Sequence, residues 1–323
     1  MGPYLGQPNK EKESEVGEND SFRFGATSMQ GWRKSQEDSH IADLDIAEDV
    51  HLFGVFDGHG GKEVSLYVKK VFVNELKKLE SFKSGNYEQA LREIFKKMDD
   101  LIQTPAGETE LKKIKEAYGG DSMQGFGMGS DPSMPISQFT GCTATVVLIS
   151  KDSIYCANAG DSRTVLARSS KTNQVEPLSE DHKPDNAEEK ARIEAAGGFV
   201  EENRVNGSLN LSRSLGDFEY KSNPKKSYKE QMVTCDPEVK RVSRQPNHDE
   251  FIILACDGIW DCLTSEEAVT RVRKGLAERS AKEKINEVIE NIFDDIIATD
   301  ILSSSGVGTD NMTCVVVEFK KKY

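Results

Sequence analysis

Apolar residues follow two different rhythms along this chain, and each rhythm predicts a different kind of element. Continuous or alternating apolar runs bounded by turn residues predict β-strands. Such runs occupy residues 22–29, 39–46, 50–56, 139–150, 153–159, 163–167, 251–256 and 313–319. Short turn sequences separate the three runs between residues 139 and 167, which favours an antiparallel meander there.

Other segments carry apolar residues at helical spacing, three or four positions apart. They are residues 64–79, 87–101, 264–276 and 285–296, and the first two form a helical hairpin. Thr264 and Glu267 stand at the spacing of a capping box, which predicts the start of the third helix. Two sheets packed face to face, with helices covering their outer faces, would bury all of these apolar surfaces.

Three segments depart from this pattern. Residues 1–21 are polar and acidic, so we expect a loose, polar N-terminal arm. Residues 104–137 are rich in Gly and Met, which predicts an exposed insertion loop. Residues 182–234 are charged and thinly apolar, and we expect a flap with one short helix, capped by Asp185 and ended at Gly197-Gly198. No composition shift marks a domain boundary, so residues 22–320 are expected to form a single domain.

Composition narrows the classes of protein that this pattern allows. Of the 323 residues, 36% are hydrophobic, which suffices for a sizeable core, and 30% are charged. The formal net charge of -13 has the wrong sign for gripping a phosphate backbone, so we expect no nucleic-acid partner.

The sequence predicts neither a signal peptide nor a transmembrane segment, because no long apolar stretch is present. N-myristoylation is disfavoured, since Gly6 stands where the pattern needs Ser or Thr, and Pro3 is unfavourable. Six cysteines without a C-x-x-C pair fit a reducing compartment. We therefore expect a cytoplasmic protein, or a nuclear one.

Four aspartates stand where strands end or begin. Asp57, Asp161 and Asp257 terminate the apolar runs in VFDGHGG, CANAGDSR and LACDGIWD, and Asp310 precedes a run in GTDN. Any single Asp-Gly after a strand is most simply a turn. Four together at one edge of antiparallel sheets would repel one another unless cations were bound. Ligands that are all oxygen favour Mg²⁺ or Mn²⁺ over zinc.

Charged neighbours of these aspartates have two interpretations each. His59 is either a solvated loop residue or, beside a metal site, a group placed to protonate a leaving oxygen. Arg33 is either an exposed surface arginine or a phosphate ligand with two parallel hydrogen bonds. Glu37 and Asp38 follow Arg33 closely enough to join the same site.

Nine motifs now resemble, in order, those of the metal-dependent type 2C protein serine/threonine phosphatases. The resemblance covers residues 22 to 319. The motifs are SMQGWRKSQEDSH, FGVFDGHGG, FTGCTATV, ANAGDSR, LSEDHKP, AGGFV, RVNGSLNLSRSLGDFEYK, LACDGIWD and GTDNMT.

The resemblance implies an α+β fold, a four-layer α-β-β-α sandwich of two antiparallel sheets flanked by helical hairpins, with residues 22–320 as the catalytic phosphatase domain. It implies two Mg²⁺ or Mn²⁺ ions in the main site and a third, weaker one, phosphoserine and phosphothreonine proteins as substrates, and a monomer. The resemblance implies that Asp57 bridges both ions, that the Gly58 carbonyl and Glu37 bind one of them, and that Asp257 and Asp310 bind the other. It implies that Asp161 and Asp257 form the weaker site, that Asp38 is an outer ligand, and that Asp261 and Asn311 support the site. It also implies that Arg33 binds the substrate phosphate and that His59 is the general acid.

Three other functions compete with this interpretation. A cysteine phosphatase is disfavoured, because the C-x5-R spacing from Cys235 to Arg241 contains Asp236 and Glu238 and no glycine. A catalytically inactive phosphoprotein-binding regulator of the same fold would normally have lost a metal carboxylate, and this chain keeps them all. A metal-dependent hydrolase of small phosphate esters is the third alternative.

Overall fold

The computed structural model describes residues 4–118, 134–169, 174–280 and 284–320. The strands of these ranges, in chain order, are β1 (Tyr4–Glu18), β2 (Phe22–Arg33), β3 (Ser39–Ala47), β4 (Val50–Phe56), β5 (Gly58–His59), β6 (Gly141–Cys142), β7 (Ala144–Ile149), β8 (Ser153–Ala159), β9 (Arg163–Arg168), β10 (Val175–Pro177), β11 (Val200–Glu201), β12 (Arg204–Val205), β13 (Leu215–Gly216), β14 (Glu238–Ser243), β15 (Asp249–Ala255) and β16 (Met312–Phe319).

Helices of the same ranges lie mainly in two groups, one before β6 and one between β15 and β16. They are α1 (Glu63–Leu76), α2 (Glu80–Lys83), α3 (Tyr87–Ile102), α4 (Pro105–Ala117), α5 (Ala187–Ala195), α6 (Asp257–Trp260), α7 (Ser265–Glu278), α8 (Ile285–Ile296) and α9 (Ile301–Ser304). None of the helices in the described ranges is both long enough and apolar enough to cross a bilayer.

Two antiparallel sheets form the centre of the molecule. One has the strand order β1-β2-β16-β15-β9-β10 and the other β14-β8-β7-β4-β3. An apolar layer between them includes Phe53, Leu254 and Val315. A second layer lies between the five-stranded sheet and helices α1, α3 and α4, and a third between the six-stranded sheet and helices α7 and α8. The predicted four-layer α+β sandwich is confirmed.

Several predicted elements lie where the apolar pattern placed them. Strands β4 and β8 have the predicted bounds. The capping box at the start of α7 is present, since Thr264 accepts from the backbone N–H of Glu267 and the Glu267 carboxylate accepts from that of Thr264. Burial explains these successes, because β4 and β8 are buried along their whole length and α7 is buried on the side that its apolar residues mark.

The prediction of a loose N-terminal arm is wrong. Residues Tyr4–Glu18 form β1, which pairs antiparallel with β2 from Tyr4 opposite Arg33 to Glu18 opposite Arg23. An edge strand is held by backbone hydrogen bonds and needs little apolar surface, so its side chains can stay polar. Lys12 reaches Asp294 on α8 at 2.8 Å, which ties the strand to the helix layer.

The prediction of an insertion loop over residues 104–137 is wrong at its start. Helix α4 begins there, with Thr104 accepting from the backbone N–H of Gly107 at 3.0 Å and Pro105 in the first turn. Its residues Leu111 and Ile114 pack into the core. Residues 119–133 of the predicted loop lie outside the described residues.

The flap at residues 182–234 carries the predicted short helix, α5, with one error at its start. Asn186, not Asp185, occupies the N-cap position. Its side chain makes no hydrogen bond to the first turn of the helix. The helix ends at Gly197-Gly198 as expected, with Gly197 at φ 97°. Ile193, Val205 and Val233 form a small apolar cluster of the flap's own.

Candidate metal and phosphate site

Aspartates gather at one edge of the sandwich, where strands of both sheets begin or end. Asp57 directly follows β4, and Asp257 comes two residues after β15. Asp38 directly precedes β3, while Asp161 and Asp310 stand two residues before β9 and β16. In antiparallel pairs such as β15–β16 and β3–β4, the end of one strand lies beside the start of its partner. The predicted convergence of these carboxylates follows from the sheet topology.

Electrostatic repulsion dominates this edge. Burial, then the negative charges of Asp38, Asp257 and Asp310, raise the pKa of Asp57 well above its ordinary value. Burial and the neighbouring Asp161 and Asp310 do the same to the pKa of Asp257. Such a cluster is stable in its ionised form only when cations offset the charge.

The donor atoms present fit a hard divalent cation. Carboxylate oxygens of Asp38 and Asp57 lie within 4.8 Å of each other and of the Cys256 sulfur. Neither Asp38 oxygen makes a hydrogen bond of standard geometry with the described residues, although the side chain is only 8% exposed. Burial and the nearby Asp310 charge contribute to raising the pKa of Asp38 to about 7.

Cys256 is not suited to be a ligand of such an ion. Burial raises the pKa of its thiol well above the ordinary value, which disfavours the thiolate that a metal would bind. The thiol also contacts the backbone of the β16 start, accepting from the N–H of Thr313 at 3.1 Å. The available ligands are therefore oxygens, which is the set that Mg²⁺ and Mn²⁺ prefer.

Glu37 lies against Gly58, the residue that follows Asp57. A Cβ on Gly58 would come within 2.3 Å of the Glu37 carbonyl oxygen, so only glycine fits there. The Glu37 carboxylate accepts from Ser35 Oγ at 2.6 Å and from the Gly61 backbone N–H at 3.0 Å. These bonds hold the Glu37 carboxylate in the Gly-rich turn after β4.

Arg33 lies at the end of β2 with its side chain 44% exposed. Its Nη2 donates to Asp310 Oδ2 at 2.5 Å. Asn311 holds the loop after Arg33 in place, accepting from the Glu37 N–H at 3.0 Å and donating to Gln30 and Ser35 carbonyls at 2.8 and 2.9 Å. The arginine therefore faces Asp310 of the carboxylate cluster from the end of β2, just before this braced loop, and keeps an exposed side.

Asp161 and Asp261 share a neighbour that sequence reasoning missed. The ammonium group of Lys183 forms an ion pair with Asp161, whose side chain is only 2% exposed. Burial raises the pKa of Asp261, and the positive charge of Lys183 opposes that rise. The motif LSEDHKP contains Lys183, but nothing in that sequence indicated an ion pair with a residue 22 positions earlier.

His59 also has an unforeseen partner. Its Nε2 lies 2.7 Å from Oδ2 of Asp217, which is 2% exposed and 158 residues away in sequence. Burial opposes protonation of His59, but the charge of Asp217 prevails and raises the pKa of the ring. Only the pairing of short strands in three dimensions brings the two residues together.

Comparison with known sequences identifies the family. A family profile described as protein phosphatase 2C matches residues 22–301. Probable protein phosphatase 2C 2 of Paramecium tetraurelia is 45% identical over 322 residues, which cover 99% of this chain and all of the relative. Probable protein phosphatase 2C 21 of Arabidopsis thaliana is 42% identical, with 99% of this chain and 93% of the relative covered.

Solved structures share the same fold. A serine-threonine phosphatase 2C from Toxoplasma gondii is 22% identical, with a TM-score of 0.70 over 99% of this chain and 100% of that one. A sex-determining protein of C. elegans gives a TM-score of 0.67 at 26% identity, covering 94% of this chain and 66% of that one. The profile match and the full-length relatives show that this chain belongs to the protein phosphatase 2C family.

Proposed function

We propose that this chain hydrolyses phosphoserine and phosphothreonine in proteins, using Mg²⁺ or Mn²⁺ held by the aspartates at the sandwich edge. The observation that carries the proposal is the crowding of Asp38, Asp57 and Asp257 at one buried edge, where burial and then the neighbouring carboxylates raise the pKa of each. Arg33 stands beside this cluster with an exposed side, where a phosphate dianion would meet it. Family membership supports the same activity.

Two ions would divide the ligands between them. Asp57 would bridge both, with the Gly58 carbonyl and Glu37 on one ion and Asp257 and Asp310 on the other. Ions of this kind lower the pKa of a bound water molecule, which makes it a better nucleophile, and they offset negative charge on phosphoryl oxygens.

Supporting residues would surround these direct ligands. Asp38, Asp261 and Asn311 would steady them from outside. Asp161 would contribute, with Asp257, to a third and weaker site, where it would exchange the Lys183 ammonium for an ion.

The chain's own side chains would complete the reaction. Arg33 would turn from Asp310 and hold two phosphate oxygens through parallel N–H donors, which orients the phosphorus for in-line attack. His59 would donate a proton to the departing oxygen. Serine and threonine oxygens are poor leaving groups as alkoxides, so this proton lowers the barrier more for them than for an aryl ester.

A phosphate-release assay on a phosphothreonine peptide tests the proposal. We expect phosphate release in the presence of Mn²⁺ or Mg²⁺. Release should stop when a chelator is in excess and return when the ion is restored. Full activity in excess chelator would contradict the metal mechanism. Peptide binding without turnover would favour the inactive regulator, and turnover confined to small esters would favour the ester hydrolase.

The remaining expectations are proposals as well. We propose that residues 22–320 act as one catalytic domain, as a monomer, in the cytoplasm or nucleus. Light scattering of the purified chain tests whether it is a monomer. Imaging of the tagged protein in cells tests the compartment.

A further inference from the structure

Asp217 is a buried aspartate in a backbone conformation that costs energy. Its φ of 54° and ψ of 44° lie in the left-handed region, which residues other than glycine adopt infrequently. The residue is 2% exposed. A conformation of this kind persists only when its surroundings impose it, and such residues cluster at functional sites.

A small three-stranded sheet imposes the position of Asp217. Its strand order is β13-β6-β5, so β6 lies between the strand that precedes Asp217 and the strand that contains His59. Gly141 pairs with Gly216 on one side and with His59 on the other. The Asp217 N–H donates to the carbonyl of Thr140 at 3.1 Å, which fixes the turn.

Gly141 leaves the space through which the two side chains meet. Strands on either side of a central strand are about 10 Å apart, too far for direct contact unless the side chains cross over the middle strand. A Cβ on Gly141 would lie 2.3 Å from Asp217 Oδ2. The carboxylate thus occupies the place of the missing side chain, and from there Oδ2 lies 2.7 Å from His59 Nε2.

Hydrogen bonds around this pair distinguish the two ring nitrogens of His59. Ser214 directly precedes β13, and its Oγ also donates to Asp217 Oδ2, so the carboxylate is held from its own segment of the chain as well. His59 Nδ1 is buried and has no hydrogen-bond partner among the described residues. A buried polar atom without a partner is costly, so Nδ1 is the ring nitrogen left for a partner from outside the protein, a substrate or a water.

We propose that Asp217 is the positioning residue of His59: it holds Nε2 and thereby makes Nδ1 the atom that protonates the departing serine or threonine oxygen. In the step, the oxygen of an attacking hydroxide, derived from solvent water, forms a new bond to phosphorus, and the P–O bond to the departing serine or threonine oxygen breaks with its electron pair remaining on that oxygen. The Nδ1–H bond breaks as the new O–H bond forms, while the Nε2–H stays on the ring, bonded to Asp217. The inference rests on the proposed role of His59 as proton donor.

A double-mutant cycle separates this role from a merely structural one. Asp217→Ala and Asp217→Asn are made in the natural chain and in the His59→Ala chain, and assayed with saturating Mn²⁺. The substrates are a phosphothreonine peptide and 4-nitrophenyl phosphate, whose leaving group needs no proton. Circular dichroism and thermal melting establish whether each variant is folded. If Asp217→Ala does not fold, the test is made with Asp217→Asn alone.

We expect His59→Ala and Asp217→Ala to lower kcat on the peptide by about 100-fold and about 30-fold, with KM changed less than about 2-fold. The loss on 4-nitrophenyl phosphate should stay below about 3-fold. Asp217→Asn should lose less than Asp217→Ala, because the amide oxygen can still accept from Nε2–H. In the His59→Ala chain, Asp217→Ala should cause no further loss on the peptide.

Matched serines in the same segment provide the control. Ser214→Ala removes a donor to Asp217 and should reproduce part of the peptide-specific loss. Ser212→Ala removes a buried hydroxyl that donates to the His182 carbonyl and should leave both activities unchanged. In ¹⁵N NMR spectra of the ring, Asp217→Ala should shift the His59 Nε2 resonance more than Ser212→Ala does.

Two results would overturn the inference. One is an equal loss on both substrates in the Asp217 variants, and the other is a further loss when Asp217→Ala is added to His59→Ala. If His59→Ala itself loses equally on peptide and aryl ester, the proton-donor role in the proposed function fails first. The two failures are therefore distinguishable in one set of measurements.

Discussion

Buried carboxylates in the flap and at the sandwich edge meet opposite surroundings. Glu189 on α5 is 2% exposed and burial opposes its charge, but hydrogen bonds from Arg213 and the charge of Arg192 lower its pKa to about 2. Asp57 has aspartates as neighbours instead, and its pKa is raised. The flap carboxylate has two arginines beside it, whereas at the edge Arg33 pairs with Asp310 and Lys183 with Asp161, and the charges that raise the pKa of Asp57 are those of other aspartates.

This difference separates a structural carboxylate from a ligand. A chain that needs an acidic group only for folding can place arginine beside it, and Glu189 has two such partners. At the sandwich edge, folding tolerates repulsion that ions from solution would relieve. Asp161 is intermediate, since it has the single cation Lys183. Neutralising each kind of carboxylate should therefore have a different effect on stability and on turnover.

Asp257→Asn should have the largest effect on turnover. Removing a ligand charge is expected to lower kcat by about 1000-fold, equivalent to about 4 kcal/mol of transition-state stabilisation. Because one repelling charge is lost, the melting temperature of the metal-free protein should rise, by about 2 °C for each kcal/mol of relieved repulsion. Phosphopeptide turnover and calorimetric melting in chelator measure the two effects.

The control for that prediction is Asp295→Asn, on the exposed face of α8. The Asp295 side chain is 71% exposed, and its ion-pair partner is Arg271 at 3.6 Å. Both its turnover and its melting temperature should match those of the natural chain. Unchanged turnover in Asp257→Asn would remove this residue from the proposed site, and a lower melting temperature in chelator would contradict the repulsion argument.

Glu189→Gln should have the opposite profile. A pKa lowered from 4.5 to about 2 corresponds to about 3 kcal/mol of stability at neutral pH, which the variant should lose. A carboxyl with a lowered folded-state pKa contributes fully above the unfolded value of 4.5. Its contribution disappears as pH falls from there through about 2, so the two chains should converge in stability over this interval.

Denaturant unfolding of Glu189→Gln across that pH range provides the measurement. Glu194→Gln is the matched control, because Glu194 lies on the same helix with its side chain 55% exposed, and its change should stay within about 0.5 kcal/mol. A Glu189→Gln chain as stable as Glu194→Gln at pH 7 would show that the arginines do not stabilise the flap through this carboxylate.

Lys183→Gln should give the smallest effect and sharpens the intermediate case. Without the ammonium group, Asp161 would attract an ion more strongly, and we expect roughly 10-fold tighter binding of the weakest Mn²⁺ in a calorimetric titration. Lys190→Gln, a lysine on α5 with its side chain 49% exposed, should leave the titration unchanged. An unaltered titration in Lys183→Gln would argue that Asp161 holds no ion.

The edge carboxylates could be located from the sequence because the end of a buried strand is marked by a change from apolar to polar residues. The run at residues 50–56 is nearly continuously apolar, so the change to Asp57 marks where the strand ends. Antiparallel packing then brings such ends together. The two-sheet architecture was predictable for the same reason, since each apolar face required another to cover it.

Other features had no such signal. Strand β1 is held by backbone bonds at a sheet edge, so nothing in its polar side chains marks it as a strand. The contact of His59 with Asp217 depends on two-residue strands and on the space over Gly141, which no periodicity records. Helix α4 differs from both, because Thr104-Pro105 is a helix-start signal that the sequence does contain. The glycines that follow in residues 119–129 favoured a loop over the whole segment instead.

The pairing of β1 with β2 has a practical consequence for handling this protein. Tyr4 lies opposite Arg33, and its hydroxyl is 3.3 Å from Thr309 Oγ1, next to Asp310. A purification tag or fluorescent label joined ahead of Tyr4 would therefore emerge beside the residue proposed to receive the phosphate. Phe319 pairs with Phe22 at the far end of the same sheet, so a label placed after it would leave the docking of bulky substrates unobstructed.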